Sequence, residues 1–469
     1  MGRFLTILAT GLGACCLCGA PMAARQCRAQ SPAGQALERV NLHDGRHYEG
    51  YVESEDDGWV FFIQIQRKAG QPMHLVIRTL DRRSVASIAP LDAPQRAKLR
   101  DEIERFVNRA AIESGRMEAV ALAPLDKDGN RYQHYAGKWF ALDSTADERT
   151  TRRVIVRVEQ IFAAYRQTLS PRNNPPQPPR LVVFASMQEY QAFLAARELS
   201  IQNTACFIEG ENVVAVGSEL ARLAVRMAKV NAQTDDVRRE LQKLERRLPD
   251  RLRELAEAMR KEGRTSVEIA RATTMEKRQF DDDVKAKKKE LWRWDRDAAQ
   301  TFNDGTRQMF ARVYHESFHA YLENYVFPHA KCDVPRWLNE GLAVMFEGGI
   351  LEADALRVDA PNAVALKKLK ADLSGPQPLP LQQLLSSDAA AFVQVHGSDA
   401  AASDRYYAAA WGVAYFLAFE KHLLDSPGLL QYVEPDAKKM GPAARFEKLV
   451  GMPLNKFEKE WRQYILSLK

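Results

Sequence analysis

Two histidines four residues apart, with a glutamate beside the first, are the residues of this chain best suited to chemistry: His315-Glu316-Ser317-Phe318-His319. They lie in residues 311–325, a stretch without proline or glycine. On a helix, a spacing of four brings both imidazoles to one face, one turn apart, where they can share a tetrahedral metal ion. Glu316 is turned about 100° from His315. Its carboxylate can therefore approach a water at the metal without ligating the ion. Tyr314, Phe318, Tyr321, Leu322 and Tyr325 supply the rest of the helix with core contacts.

A second constellation follows Pro335: Trp337-Leu338-Asn339-Glu340-Gly341-Leu342-Ala343. Glu340 stands 21 residues beyond His319. That is room for a helix end, a loop and the start of a second helix packed on the first. Glu347 lies two turns further along the same face. A third stretch is Tyr407-Ala-Ala-Ala-Trp411-Gly-Val-Ala-Tyr415-Phe416-Leu417. His329, in the loop 327–335, could contact a substrate or simply be solvated, and Trp337 reads as a packing anchor. His43, His47, His74, His134, His396 and His422 read as ordinary histidines.

Together these segments resemble the gluzincin zinc metallopeptidases, specifically their peptidase-MA-like bacterial branch, over roughly residues 132–469 apart from an insertion. The resemblance implies zinc ligation by His315, His319 and Glu340, with Glu347 the rival third ligand, and Glu316 as general base. It also implies a tyrosine hydroxyl facing the tetrahedral intermediate, for which Tyr407 is preferred to Tyr406. A zinc ion held by three ligands keeps a position open for water, lowers the pKa of that water towards about 7 and polarises a carbonyl. Asn339 can orient a ligand from behind. The implied activity is hydrolysis of a polypeptide, the substrate pairing with an edge strand above the active helix. Residues 212–216 are the candidate strand. No segment resembles an amine-recognition motif, so an endopeptidase is preferred. A catalytically inactive envelope binding or scaffold protein is the alternative, although a scaffold would need none of the four zinc-site residues. Hydrolysis of a non-peptide amide or ester is a third reading.

The elements that must position these residues form an α+β chain. Its 469 residues suggest two or three domains. Short β-rich runs between Asp-Gly and Gly turns make residues 36–90 a small all-β module resembling SH3-like barrels. Residues 91–130 read as a linker helix and 131–469 as the peptidase-like domain. Within that domain, 219–303 reads as a coiled-coil hairpin inserted between the candidate strand and the active helix. Val237, Leu241, Leu244, Leu248, Leu252, Leu255 and Met259 make its first seam, Gly263 its break, and Phe280, Val284, Leu291 and Trp294 its second seam. It could bind a protein partner, gate the site, or be a solvated insertion. Beyond Gly348 the chain reads as helical, at 379–385, 407–423, 429–433, 443–449 and 454–468.

The chain carries 46% apolar and 27% charged residues and a net charge of +6. No basic run is interleaved with aromatics, so no nucleic-acid partner is expected. Residues 1–29 read as an export signal, with Arg3 ahead of an apolar stretch interrupted by Gly11, Gly13, Gly19 and Pro21. Leu12-Gly13-Ala14-Cys15 resembles a lipobox that would leave a lipid anchor on Cys15, whereas small residues near Ala24 and Ala29 suit ordinary cleavage. Either way the protein is expected outside the cytoplasm: periplasmic, extracellular or membrane-anchored. Cys206 and Cys332 could pair as a disulfide or remain separate thiols.

Overall fold

The computed structural model describes residues 36–468 apart from 68–72, 128, 353–354, 359 and 393–397. The segment read as an export signal, with Cys15, and His396 lie outside the described residues. The chain is α+β, and among the described residues no helix is long and apolar enough to cross a membrane.

Strands β1 (Glu38–Leu42), β2 (His47–Glu55), β3 (Trp59–Gln66), β4 (His74–Asp81) and β5 (Val85–Ala89) form an antiparallel sheet in the order β4-β3-β2-β1-β5. Alternation along the strands gives it two apolar faces. Val40, Val52, Val60 and Phe62 share one cluster. Tyr51, Ile63 and Ile65 share the other with Leu99 and Ile103 of α1 (Ala93–Val107). Asp92 caps α1 by accepting from the Gln95 N–H.

The stretch read as one linker helix holds more. After α1 come α2 (Arg109–Ala119), then β6 (Ala123–Lys127) and β7 (Asn130–Ala136), so the second sheet begins at Ala123. It continues through β8 (Ala141–Ser144), helix α3 (Glu148–Thr168), β9 (Arg180–Val183), α4 (Met187–Ala195), β10 (Ala205–Ile208) and β11 (Val213–Val216). The strand order is β10-β11-β9-β8-β7-β6. Period-two alternation splits its side chains. Leu181, Val183, Val214 and Val216 join α3 in the main core, while Val182, Phe184, Val213 and Ala215 pack with Tyr190 and Leu194 of α4. Residues 212–216 are therefore not the edge. β11 pairs parallel with β9 on one side and antiparallel with β10 on the other, and the edge strand at this end of the sheet is β10. Periodicity finds a hairpin but does not say which of its strands turns inward.

Helices α5 (Leu220–Lys261) and α6 (Ser266–Tyr321) form the coiled-coil hairpin. Gly263 turns it with φ +74°, a conformation open to glycine at little cost. Thr265 and Glu268 then start α6 with a capping box. The second arm does not stop at residue 303. It runs unbroken into the segment carrying His315 and His319, so arm and histidine-bearing helix are one element of 56 residues. At Gly305 an added Cβ would lie 2.7 Å from Leu223 Cδ1, which lets α5 and α6 close at the root.

The remainder is α7 (Arg336–Glu347), the hairpin β12–β13 (Ile350–Glu352 and Ala355–Arg357), α8 (Ala363–Leu373), α9 (Leu381–Leu385), α10 (Ser398–Phe419), α11 (Pro427–Val433), α12 (Pro442–Val450) and α13 (Leu454–Ser467). The β12–β13 pair and α8 are absent from the helical reading of this region. Three-residue strands carry too little period to be seen. Glu352 of β12 accepts the Met73 backbone N–H at 2.8 Å, tying the N-terminal module to this half.

Candidate metal centre

Helices α6 and α7 supply the site, and α10 and β10 wall it. Phe318 and Tyr321 are fully buried among Phe162, Tyr165 and Phe346, which fixes the rotation of α6. A π-turn over Leu322–Val326 ends that helix. Trp337 is buried as an anchor against Tyr432 and Phe446. Gly341 lets α7 meet α10 closely, since a Cβ there would lie 2.3 Å from the Ala410 carbonyl oxygen. The result is a cavity of about 690 Å³ holding His315, Glu316, His319, Glu340 and Tyr407, with the β10 edge along its side.

His315, His319 and Glu340 form a group able to hold a metal ion: one ligand atom from each lies within 4.8 Å of the others. His315 Nε2 is 3.2 Å from Glu340 Oε2, and His319 Nε2 is 3.8 Å from Glu340 Oε1. The Glu340 side chain is 1% exposed. Its Oε2 has no well-directed hydrogen bond, an expensive state for a buried carboxylate oxygen unless a cation satisfies it. Two imidazoles and a carboxylate are a donor set that suits such an ion.

Each of the three has a second contact. The Asn339 side-chain oxygen lies 2.8 Å from His319 Nδ1 and accepts from it when that nitrogen carries the proton. Glu347 is not turned towards the imidazole nitrogens that face Glu340. Its carboxylate sits 2.8 Å from Nδ1 on the far edge of His315, at an angle off the hydrogen-bond line, and 3.6 Å from Arg312. Seven residues, or two turns, carry it past the ion-binding face to the back of the first histidine. Arg336, one turn before Glu340, holds Glu340 Oε1 at 2.6 Å and leaves Oε2 free. Sequence spacing flagged Asn339 but not Arg336, although Arg336 and Glu340 stand at the i,i+4 interval that signals an ion pair.

The electrostatics ask for positive charge. Burial opposes protonation of His315, but Glu340, Glu347 and Glu316 outweigh it and hold that imidazole well above its ordinary pKa. Burial, helped by neighbouring His315, lowers His319 against the pull of Glu340. Burial would raise Glu340, yet His319, His315 and Arg336 bring it down to about 2. Burial, then Glu340, pushes the Tyr407 phenol well up, so it remains a proton donor at neutral pH.

Glu316 is held from the opposite wall: the Phe207 N–H, on the free edge of β10, donates to its Oε2 at 2.9 Å. No spacing rule reveals that contact, which joins residues 109 apart. Tyr407 packs its ring 6.3 Å from His315 and donates its hydroxyl to the Phe392 carbonyl at 3.0 Å. Tyr406 instead accepts from Gln383. His329 sits at the cavity rim between Glu209 and Glu323. Cys206 and Cys332 are separate free thiols.

Residues 309–450 match a family described as a protein of unknown function (DUF1570). The matched segment includes His315, Glu316, His319, Glu340 and Tyr407 but not β10. No curated protein and no solved structure gives a match.

Proposed function

We propose that this protein is a zinc-dependent peptidase of the gluzincin type, exported from the cytoplasm, hydrolysing internal bonds of a polypeptide. The observation carrying the reading is the convergence of His315, His319 and Glu340 in one cavity with a carboxylate, Glu316, that is not part of the ligand group. A zinc ion held by the two imidazoles and Glu340 Oε2 would supply Lewis acidity, acidifying the attacking water and polarising the scissile carbonyl.

The chain's own groups do the remaining work. Glu316 takes the proton of the attacking water and returns it to the leaving amine. The Phe207 N–H fixes one oxygen of that carboxylate and leaves the other for proton transfer. Tyr407 gives up the Phe392 carbonyl to donate to the oxygen on which negative charge develops. The free edge of β10 offers backbone groups to an extended peptide, aligning it beside α6. Asn339 and Glu347 hold the two rings in orientation.

Metal analysis of the purified protein with Glu316→Gln beside it tests the reading. One equivalent of zinc is expected in both, with hydrolysis of an unfolded protein substrate reduced about 10²–10⁴-fold only in the variant. A wild-type protein that takes up no zinc at nanomolar free metal would overturn it.

A further inference from the structure

The distal part of the hairpin has no role in the centre just described and has a surface character of its own. No residue between 242 and 279 is buried. This part extends beyond Leu241 by 20 residues of α5, about 30 Å at helical rise. Residues 220–303 contain 22 lysines and arginines against 16 acidic residues, a surplus equal to the net charge of the whole chain.

Most acidic side chains of the distal part are already engaged: Glu245 with Lys288, Asp250 with Arg253, Glu276 with Arg251, and Glu262 and Glu268 with Arg264. Among the described residues, Arg260, Lys261, Arg271, Lys277 and Arg278 are exposed and have no such partner. Val267, Arg271, Met275 and Arg278 follow one another at intervals of four, four and three, so they share one face over the first turns of α6. On that face Val267 is 76% and Met275 62% exposed. Residues 242–279 contain no aromatic residue, and thus no stacking platform for nucleic acid.

We infer that the hairpin tip docks on an anionic lipid surface. The unpaired arginines and lysines meet the headgroups, and Val267 and Met275 enter the boundary between headgroup and acyl chain. Free positive charge alternating with exposed apolar side chains on one helix face complements that boundary and no purely polar anion. The inference is independent of the peptidase reading.

Co-sedimentation of the full chain with vesicles tests it, using phosphatidylcholine alone or with about one-third phosphatidylglycerol. Binding roughly tenfold stronger to the anionic vesicles is expected, weakening as salt is raised. A lipid on Cys15 would bind both vesicle types alike and cannot produce that difference. Arg271→Ser with Arg278→Ser, and separately Val267→Ser with Met275→Ser, should each lower anionic binding severalfold while leaving helical circular dichroism unchanged. Equal binding to both vesicle types overturns the inference. So does an effect of the arginine pair without any effect of the apolar pair, or capture by soluble polyphosphate without vesicle binding, since either outcome assigns the tip to a polyanion instead.

Discussion

Two groups of histidine and glutamate line the same cavity, and they differ in everything but composition. His315, His319 and Glu340 stand on two packed helices, their side chains 6%, 12% and 1% exposed. His329, Glu209 and Glu323 stand on a loop, a turn after β10 and the end of α6, and the histidine is 70% exposed. In the first group each side chain is held from behind, by Glu347, Asn339 and Arg336. In the second the three residues hold only one another, within reach of water. Burial, orientation and an unsatisfied Glu340 oxygen make a cation worth more to the first group than to the second.

The comparison can be broken or sharpened by substitution. His319→Ala should cause the largest change, lowering zinc affinity by well over about 100-fold in competition with a chromophoric chelator, because a ligand and not its support is lost. Next, Tyr407→Phe should reduce kcat about 10²–10³-fold with KM little altered, if the hydroxyl is the oxyanion donor; an unchanged kcat would make it a packing residue. Asn339→Ala and Glu347→Ala should each weaken zinc about 10–100-fold while the protein still binds one equivalent at saturation. Smallest of all, His329→Ala should leave zinc content and affinity within about twofold, as exposed contacts contribute little. Loss of a second zinc equivalent in that variant would break the contrast.

How much of this was legible in the sequence follows from what each feature depends on. The histidine pair, Glu316 and the segment of Glu340 could be read because a helix turns fixed spacing into a shared face. The hairpin seam was legible for the same reason, down to the turn at Gly263. Phe207 is invisible to such reading, since its N–H reaches Glu316 only once the hairpin has chosen β11 as its inner strand. Glu347 could be placed on the helix but not on the correct side of His315, because that depends on how α7 is rolled against α6. The continuity of α6 was missed because the change from charged seam to apolar core looked like a boundary. It is only a change in what surrounds the helix.

That continuity has a mechanical consequence. A helix of 56 residues spans about 84 Å, and both histidines lie within its last two turns. The hairpin tip and the two imidazoles therefore belong to one stiff rod, with its fulcrum at the root where α5 and α6 close over Gly305. Sideways load on the tip becomes torque at the histidine-bearing end, opposed by the packing of Phe318 and Tyr321. Whatever immobilises the arm also sets the direction in which the cavity faces.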